Sequence, residues 1–179
     1  MLRQPTARRR QLGAIHILYL GTLPLMIGAM GMMIDLSRVQ ARKAELQVAV
    51  DAAVLAAAKS LQTVPNNYAA ATTAASQAIN FYHFKIDNTY LIALPAATVT
   101  FGATKDGPDW RSAAAAVGSG FKFAKVDSLA APAEAYGKVD TLLVHFLSAF
   151  DSSPVTPTTL NVGAVAVAGP LGVNVGLHQ

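Results

Sequence analysis

Residues Met32–Ala58 read MMIDLSRVQARKAELQVAVDAAVLAAA. The first three close a long uncharged run, and from Asp35 to Leu61 the chain has no glycine and no proline. Most of these residues are good helix formers, so the pattern predicts a helix that does not stop at Asp35. Upstream, Leu12–Ile34 reads LGAIHILYLGTLPLMIGAMGMMI, 23 residues without Asp, Glu, Lys or Arg. About 20 apolar residues at 1.5 Å rise suffice to cross the hydrocarbon core of a bilayer. The expectation is one helix from about Leu12 to about Gln62, roughly 75 Å long, transmembrane in its first half and outside the bilayer in its second. Pro65, Asn66 and Asn67 are expected to end it. A cleaved signal peptide fits less well, because its apolar core is usually about 7–15 residues long and no small-x-small site precedes Asp35.

Composition bounds the rest. Of 179 residues, 53% are hydrophobic and 13% charged, against roughly 45–50% and about 25% in ordinary globular domains. Much of the excess is alanine, so the apolar count overstates the capacity to build a core. The length suits one domain with an appendage. The formal charge of +4 is modest and the cations cluster near the N-terminus, which is a poor footprint for nucleic acid. With no cysteine, disulfides and thiolate metal sites are excluded.

Charge also sets an expected orientation. Arg3, Arg8, Arg9 and Arg10 precede the span, whereas Arg38, Arg42 and Lys43 follow it mixed with Asp35 and Glu45. This favours a cytoplasmic tail and an extracytoplasmic C-terminal part. The expected divisions are a basic tail (1–11), a transmembrane helix (12–34), an alanine-rich extension (35–64) and a small domain (65–179). Inside the span, Gly21, Pro24, Gly28 and Gly31 fall three, four and three apart, on one stripe where small residues allow close helix approach. Pro24 removes a backbone donor and is expected to bend the helix. The same steps continue through Asp35, Arg38, Arg42 and Glu45 to Ala49, Ala52 and Ala56. A neighbouring stripe holds Leu36, Val39, Lys43, Leu46, Val50, Ala53 and Ala57. The alanine face can pack beneath its own domain or against a like helix in an assembly, and both remain open at this point. Asp51, set on that face, needs a partner or water.

The stretch from Arg9 to Leu61 resembles the N-terminal region of the TadE/TadG-like proteins of bacterial tight-adherence (Flp pilus) loci. The shared pattern is a basic tail, a glycine opening an apolar span with a central proline, an Asp at the span's end, and an L-Q-x-A-x-D-A-A-x-L-A-A-A run. Here Gly13, Pro24, Asp35, Leu46, Gln47, Asp51, Ala52, Ala53, Leu55 and Ala56 to Ala58 match. The resemblance implies a single-pass protein of the bacterial inner membrane that associates with other pilus-assembly or secretion proteins or with itself. Pseudopilins of the TadE type carry a Glu five residues after the processing glycine. Leu18 stands there in this chain, which tilts the resemblance toward TadG-like proteins with an uncleaved anchor. At this length the larger adhesive domain of long TadG proteins is not expected.

Beyond the helix, Tyr68–Phe84 reads as a second helix, Ala97–Ala103 as a strand, Lys105–Trp110 (KDGPDW) as a turn, and Phe121–Asp127 as a second strand. Tyr136–Phe150 has helical apolar spacing, and Leu160–Ala168 reads as a third strand. Arg111–Gly120 fits no template. The predicted class is α+β: the long N-terminal helix joined to a small domain with an antiparallel sheet and one or two packed helices.

Signs of chemistry are few. His16, His83, His145 and His178 lack metal-ligand spacing, apart from Asp87 four residues after His83. There is no nucleophile elbow, dinucleotide fingerprint or phosphate loop. Trp110 and Tyr90 read as packing residues before partner anchors. Neither catalysis nor a cofactor, metal, nucleic acid or small-molecule substrate is expected. A structural or assembly protein fits best, and a membrane-anchored binding module for an envelope ligand is the alternative.

Overall fold

A computed structural model describes residues 11–80, 82–85, 89–91, 94–130, 137–143 and 159–170. The described residues form two compact units. One holds the first helix up to Ser37 together with Asp140–Leu143, and the other holds Arg38–Val139 with 159–170.

Helix α1 runs from Gln11 to Thr63, 53 residues, through Pro24. The predicted continuity past Asp35 is therefore observed. Its first half is apolar and open: Ile17, Leu20, Leu25 and Met33 are each more than two-thirds exposed. The helix contains an 18-residue window of mean hydropathy 1.8, none of it buried. By length and composition it can cross a membrane.

The second unit explains the other half of the helix. Arg42, Leu46, Ala49, Val50, Ala53, Val54, Ala57 and Leu61 are buried at three- and four-residue steps, one face of a helix. They share a core with Tyr68, Ile79, Phe84, Val99, Phe101 and Val126. Alanines on the helix leave room that the domain's aromatics fill. Tyr68 and Phe101 meet with ring centroids 4.9 Å apart and a 54° tilt. Buried Tyr68 keeps its hydroxyl satisfied, accepting from the Phe121 amide at 2.7 Å, as a buried phenol requires.

The helix ends where the sequence placed its stop. Asn66 adopts φ 63°, a left-handed conformation that asparagine tolerates. Asn67 then caps α2 (Tyr68–Ala78) by accepting from the Ala70 amide at 3.0 Å. The expected second helix is shorter than predicted: Tyr82–Phe84 is strand β1, paired antiparallel with β2 (Thr89–Leu91). Alanines carry the helix, and the β-branched and aromatic residues after Ala78 leave it, with Phe84 buried in the core.

The main sheet has the order β3 (Val99–Gly102), β4 (Phe123–Asp127), β7 (Val165–Ala168), all antiparallel. Val99, Val126 and Ala166 align across one face, with Thr100, Lys125 and Val167 beside them on the other. The first two predicted strands are observed, although β3 begins after a short 3-10 turn at Ala96–Thr98 and β4 at Phe123. KDGPDW is a turn that returns Arg111 to pair with Phe101. Arg111–Gly120 is a run of turns, closed by glycines at positive φ (Gly118, 81°; Gly120, 67°).

Two further predictions need correction. Tyr136–Phe150 is not one helix: Lys138–Asp140 forms β5, with Val139 buried between exposed neighbours, and only Leu142 and Leu143 of the described residues are helical. The remainder, 144–150, lies outside the described residues. Leu160–Ala168 is two strands, β6 (Thr159–Asn161) paired with β5, and β7. The break has a cause. The Val162 amide donates to Gly137 O at 2.7 Å, and the Ala164 amide donates to Ser128 Oγ at 2.8 Å. Gly163 lies so close to the Leu129 side chain that a Cβ would run into it.

The two faces of α1 give a direct test. Ala53→Leu inserts volume at a fully buried position and is expected to cost about 1–3 kcal/mol. Ala52→Leu, on the exposed side, should stay within about 0.5 kcal/mol. Thermal unfolding of the full chain in detergent, followed by circular dichroism, measures both. Equal losses would contradict the burial pattern.

Candidate functional site

No group of three or more metal-ligating side chains occurs among the described residues. His16 lies on α1 and His83 is exposed on β1. His145, His178 and Asp87 lie outside the described residues. A groove of about 400 Å³ beside Leu61, Pro65, Phe121 and Pro170 has Lys122 as its charged lining residue. The residues that stand out instead are the polar ones along α1, each occupied by a specific structural task.

Asp35 is the first. Its Oδ1 accepts from the Leu142 amide at 2.7 Å and its Oδ2 from the Leu143 amide at 2.9 Å. The carboxylate sits on the first N–H groups of a helical turn, where donors have no partner within the turn and negative charge is favoured. One turn earlier, Gly31 faces the same segment. A Cβ there would lie 2.8 Å from Leu143 Cδ1, so glycine is what lets Leu143 approach the helix. Gly21 and Gly28, by contrast, meet nothing within 4 Å, and Pro24 is exposed. The predicted glycine stripe therefore divides: Gly31 has a partner within the chain, and Gly21 and Gly28 have an open face among the described residues.

Farther along, Arg42 is buried with its guanidinium 3.7 Å from the centroid of the Phe84 ring, a cation–π contact strengthened by removal from water. Glu45 Oε1 accepts from the Lys85 amide at 3.2 Å. Its other oxygen is buried with no hydrogen-bond partner among the described residues. Burial, and then the negative charge of Glu45, hold the Tyr82 hydroxyl above its ordinary pKa.

Gln47 and Asp51 act together. Gln47 Nε2 donates to Asp51 Oδ1 at 2.9 Å and to Val165 O on β7 at 3.3 Å. The two amide protons of glutamine match these two acceptors, so Asp51 finds its partner one helical turn away. Of the remaining motif residues, Leu46, Ala49 and Ala53 are buried, Ala56 is half-buried, and Ala52 and Leu55 are exposed. Gly13 lies in the first turn of α1. Sequence reading marked Asp35 and Asp51 as conspicuous but missed Arg42–Phe84 and the bond to Leu142. Their partners lie 42 and 107 residues away, where no local spacing points.

Fold and site together define a helix-led α+β protein whose marked polar residues hold backbone and packing in place. Residues 13–60, nearly the whole of α1, match the Tad family model, described as "Putative Flp pilus-assembly TadE/G-like". This agrees with the resemblance carried by Gly13, Asp35 and the Leu46–Ala58 run. No curated protein and no solved structure matches the chain.

Removing the Asp35 carboxylate tests its task. Asp35→Ala is expected to cost about 0.5–2 kcal/mol, as loss of a helix cap does, and to speed hydrogen exchange at Leu142 and Leu143. Asp35→Asn, which keeps one acceptor oxygen, should retain part of the protection. Unchanged exchange in Asp35→Ala would refute the capping role.

Proposed function

We propose that this chain is a membrane-anchored TadE/TadG-like pilus-assembly or minor pilin-like structural protein that works through helix packing and protein–protein contacts, without catalysis. The carrying observation is that the segment matching the Tad family is one uninterrupted helix. Its apolar first half is largely exposed, and its second half buries a single face. The basic tail is cytoplasmic in this reading, residues 12–34 cross the bacterial inner membrane, and the α+β domain is extracytoplasmic.

The second half keeps a face for partners. Ala41, Ala44, Val48, Ala52 and Leu55 follow one another at three- and four-residue steps and are exposed, with Val48 at 58% and Leu55 at 62%. Covering a Val or Leu side chain fully contributes about 1.5–3 kcal/mol, so a short stretch of this face can support a helix–helix contact. Ala49, which shares a stripe with Ala52 and Ala56 in the sequence, is fully buried and lies on the inward face. The family itself is one of structural and assembly proteins, which supports a role without chemistry.

The chain has no native cysteine, so crosslinking is clean. Single cysteines at Val48, Ala52 and Leu55 in cell membranes are expected to yield disulfide-linked dimers, or adducts with other pilus-assembly components, under mild oxidation. Ala53→Cys, on the inward face, should yield none. Adducts absent from all three outward positions would sink the proposal.

A further inference from the structure

Asp35 is only 8% exposed, yet Ile34 and Leu36 on either side of it are 52% and 56% exposed. The carboxylate accepts from the amides of Leu142 and Leu143 at 2.7 and 2.9 Å, amid open apolar side chains. Leu143 reaches back to Gly31, four residues and about 6 Å farther along the apolar helix. Leu142 is 56% exposed beside it. From Leu142 to Phe150 the sequence LLVHFLSAF has no Asp, Glu, Lys or Arg.

A carboxylate also caps helical turns in water; what sets this one apart is that it is nearly buried among open apolar side chains at the end of the apolar run, the setting of a lipid boundary. Backbone N–H groups at membrane depth must find partners within the protein, and an unpaired carboxylate there is costly. We infer that Leu142 and Leu143, held by Asp35 and seated on Gly31, form a second lipid contact: they enter the headgroup–acyl boundary beside the outer end of the transmembrane helix. The contact is with the lipid surface, in the manner of apolar residues that lie in the interface plane. Met30, Met33 and Ile34, exposed on the same level of α1, continue the apolar belt. This inference rests on the proposed membrane anchor and adds to it a part of the chain remote in sequence.

The test uses the full chain reconstituted in phosphatidylcholine–phosphatidylglycerol vesicles, with an environment-sensitive NBD fluorophore on single cysteines. Leu142→Cys is the probe, Leu25→Cys reports the span, and Asp109→Cys reports the exposed turn. Position 142 is expected to show blue-shifted emission and to lose most of it to nitroxide lipids labelled near the headgroup. Position 25 should respond best to nitroxides deep in the acyl chain, and position 109 to neither. If position 25 is quenched while position 142 behaves like 109, the lipid contact is wrong and the anchor stands. If position 25 is also unquenched, the anchor fails and the inference with it. A blue shift at 142 without lipid quenching would mean a protein partner covers it, which also overturns the proposal. A smaller nitroxide side chain at the same cysteine gives an independent reading. Faster collision with oxygen than with a water-soluble nickel chelate is expected, and the reverse order would overturn the proposal.

Discussion

The packing of a single alanine-built helix face governs this molecule. Ala49, Ala53 and Ala57 contribute little area of their own, so the apolar volume of the core comes from elsewhere in the chain: Tyr68 at the start of α2, Phe84 on β1, Phe101 on β3. Each of these elements is short, with strands of three to five residues and a second helix of 11. Isolated pieces of that size are marginal in water. They persist because they share one core with a 53-residue helix that satisfies its own backbone through almost its whole length.

Polar groups along the same helix are spent on positioning. Asp35 serves two amides, Arg42 lies over an aromatic ring, Gln47 serves a carboxylate and a strand carbonyl. Each is buried or half-buried, where an unpaired group would be destabilising. This accounts for charged and amide side chains inside an otherwise small-residue run. The exposed side of the helix is apolar and free of such groups from Val48 to Leu55 except where Asp51 meets Gln47.

Reading from sequence succeeded where local signals were strong. The absence of glycine and proline after Asp35 predicted the unbroken helix, Pro65–Asn67 its end, and alternation the strand β3. It failed where tertiary pairing outweighed local pattern. Val139 has helical companions at Leu142, Leu143 and Phe146, but Lys138–Asp140 pairs with β6 and is a strand. Residues 160–168 look like one strand, yet hydrogen bonds to Gly137 and Ser128 divide them between two sheets. A three-residue strand has too little periodicity to declare itself.

By itself, the sequence determined the long helix, its uncharged first half and the α+β class, because helix propensity, hydropathy and turn residues act locally. Which face of the extension turns inward was settled only by tertiary structure. Two adjacent stripes of alanine are nearly equivalent in hydropathy, and the choice between them depends on which one the sheet and α2 cover. The same holds for Asp35: its place at the end of an apolar run is visible in one dimension, but the amides it serves lie more than a hundred residues away, and only folding brings them within 3 Å.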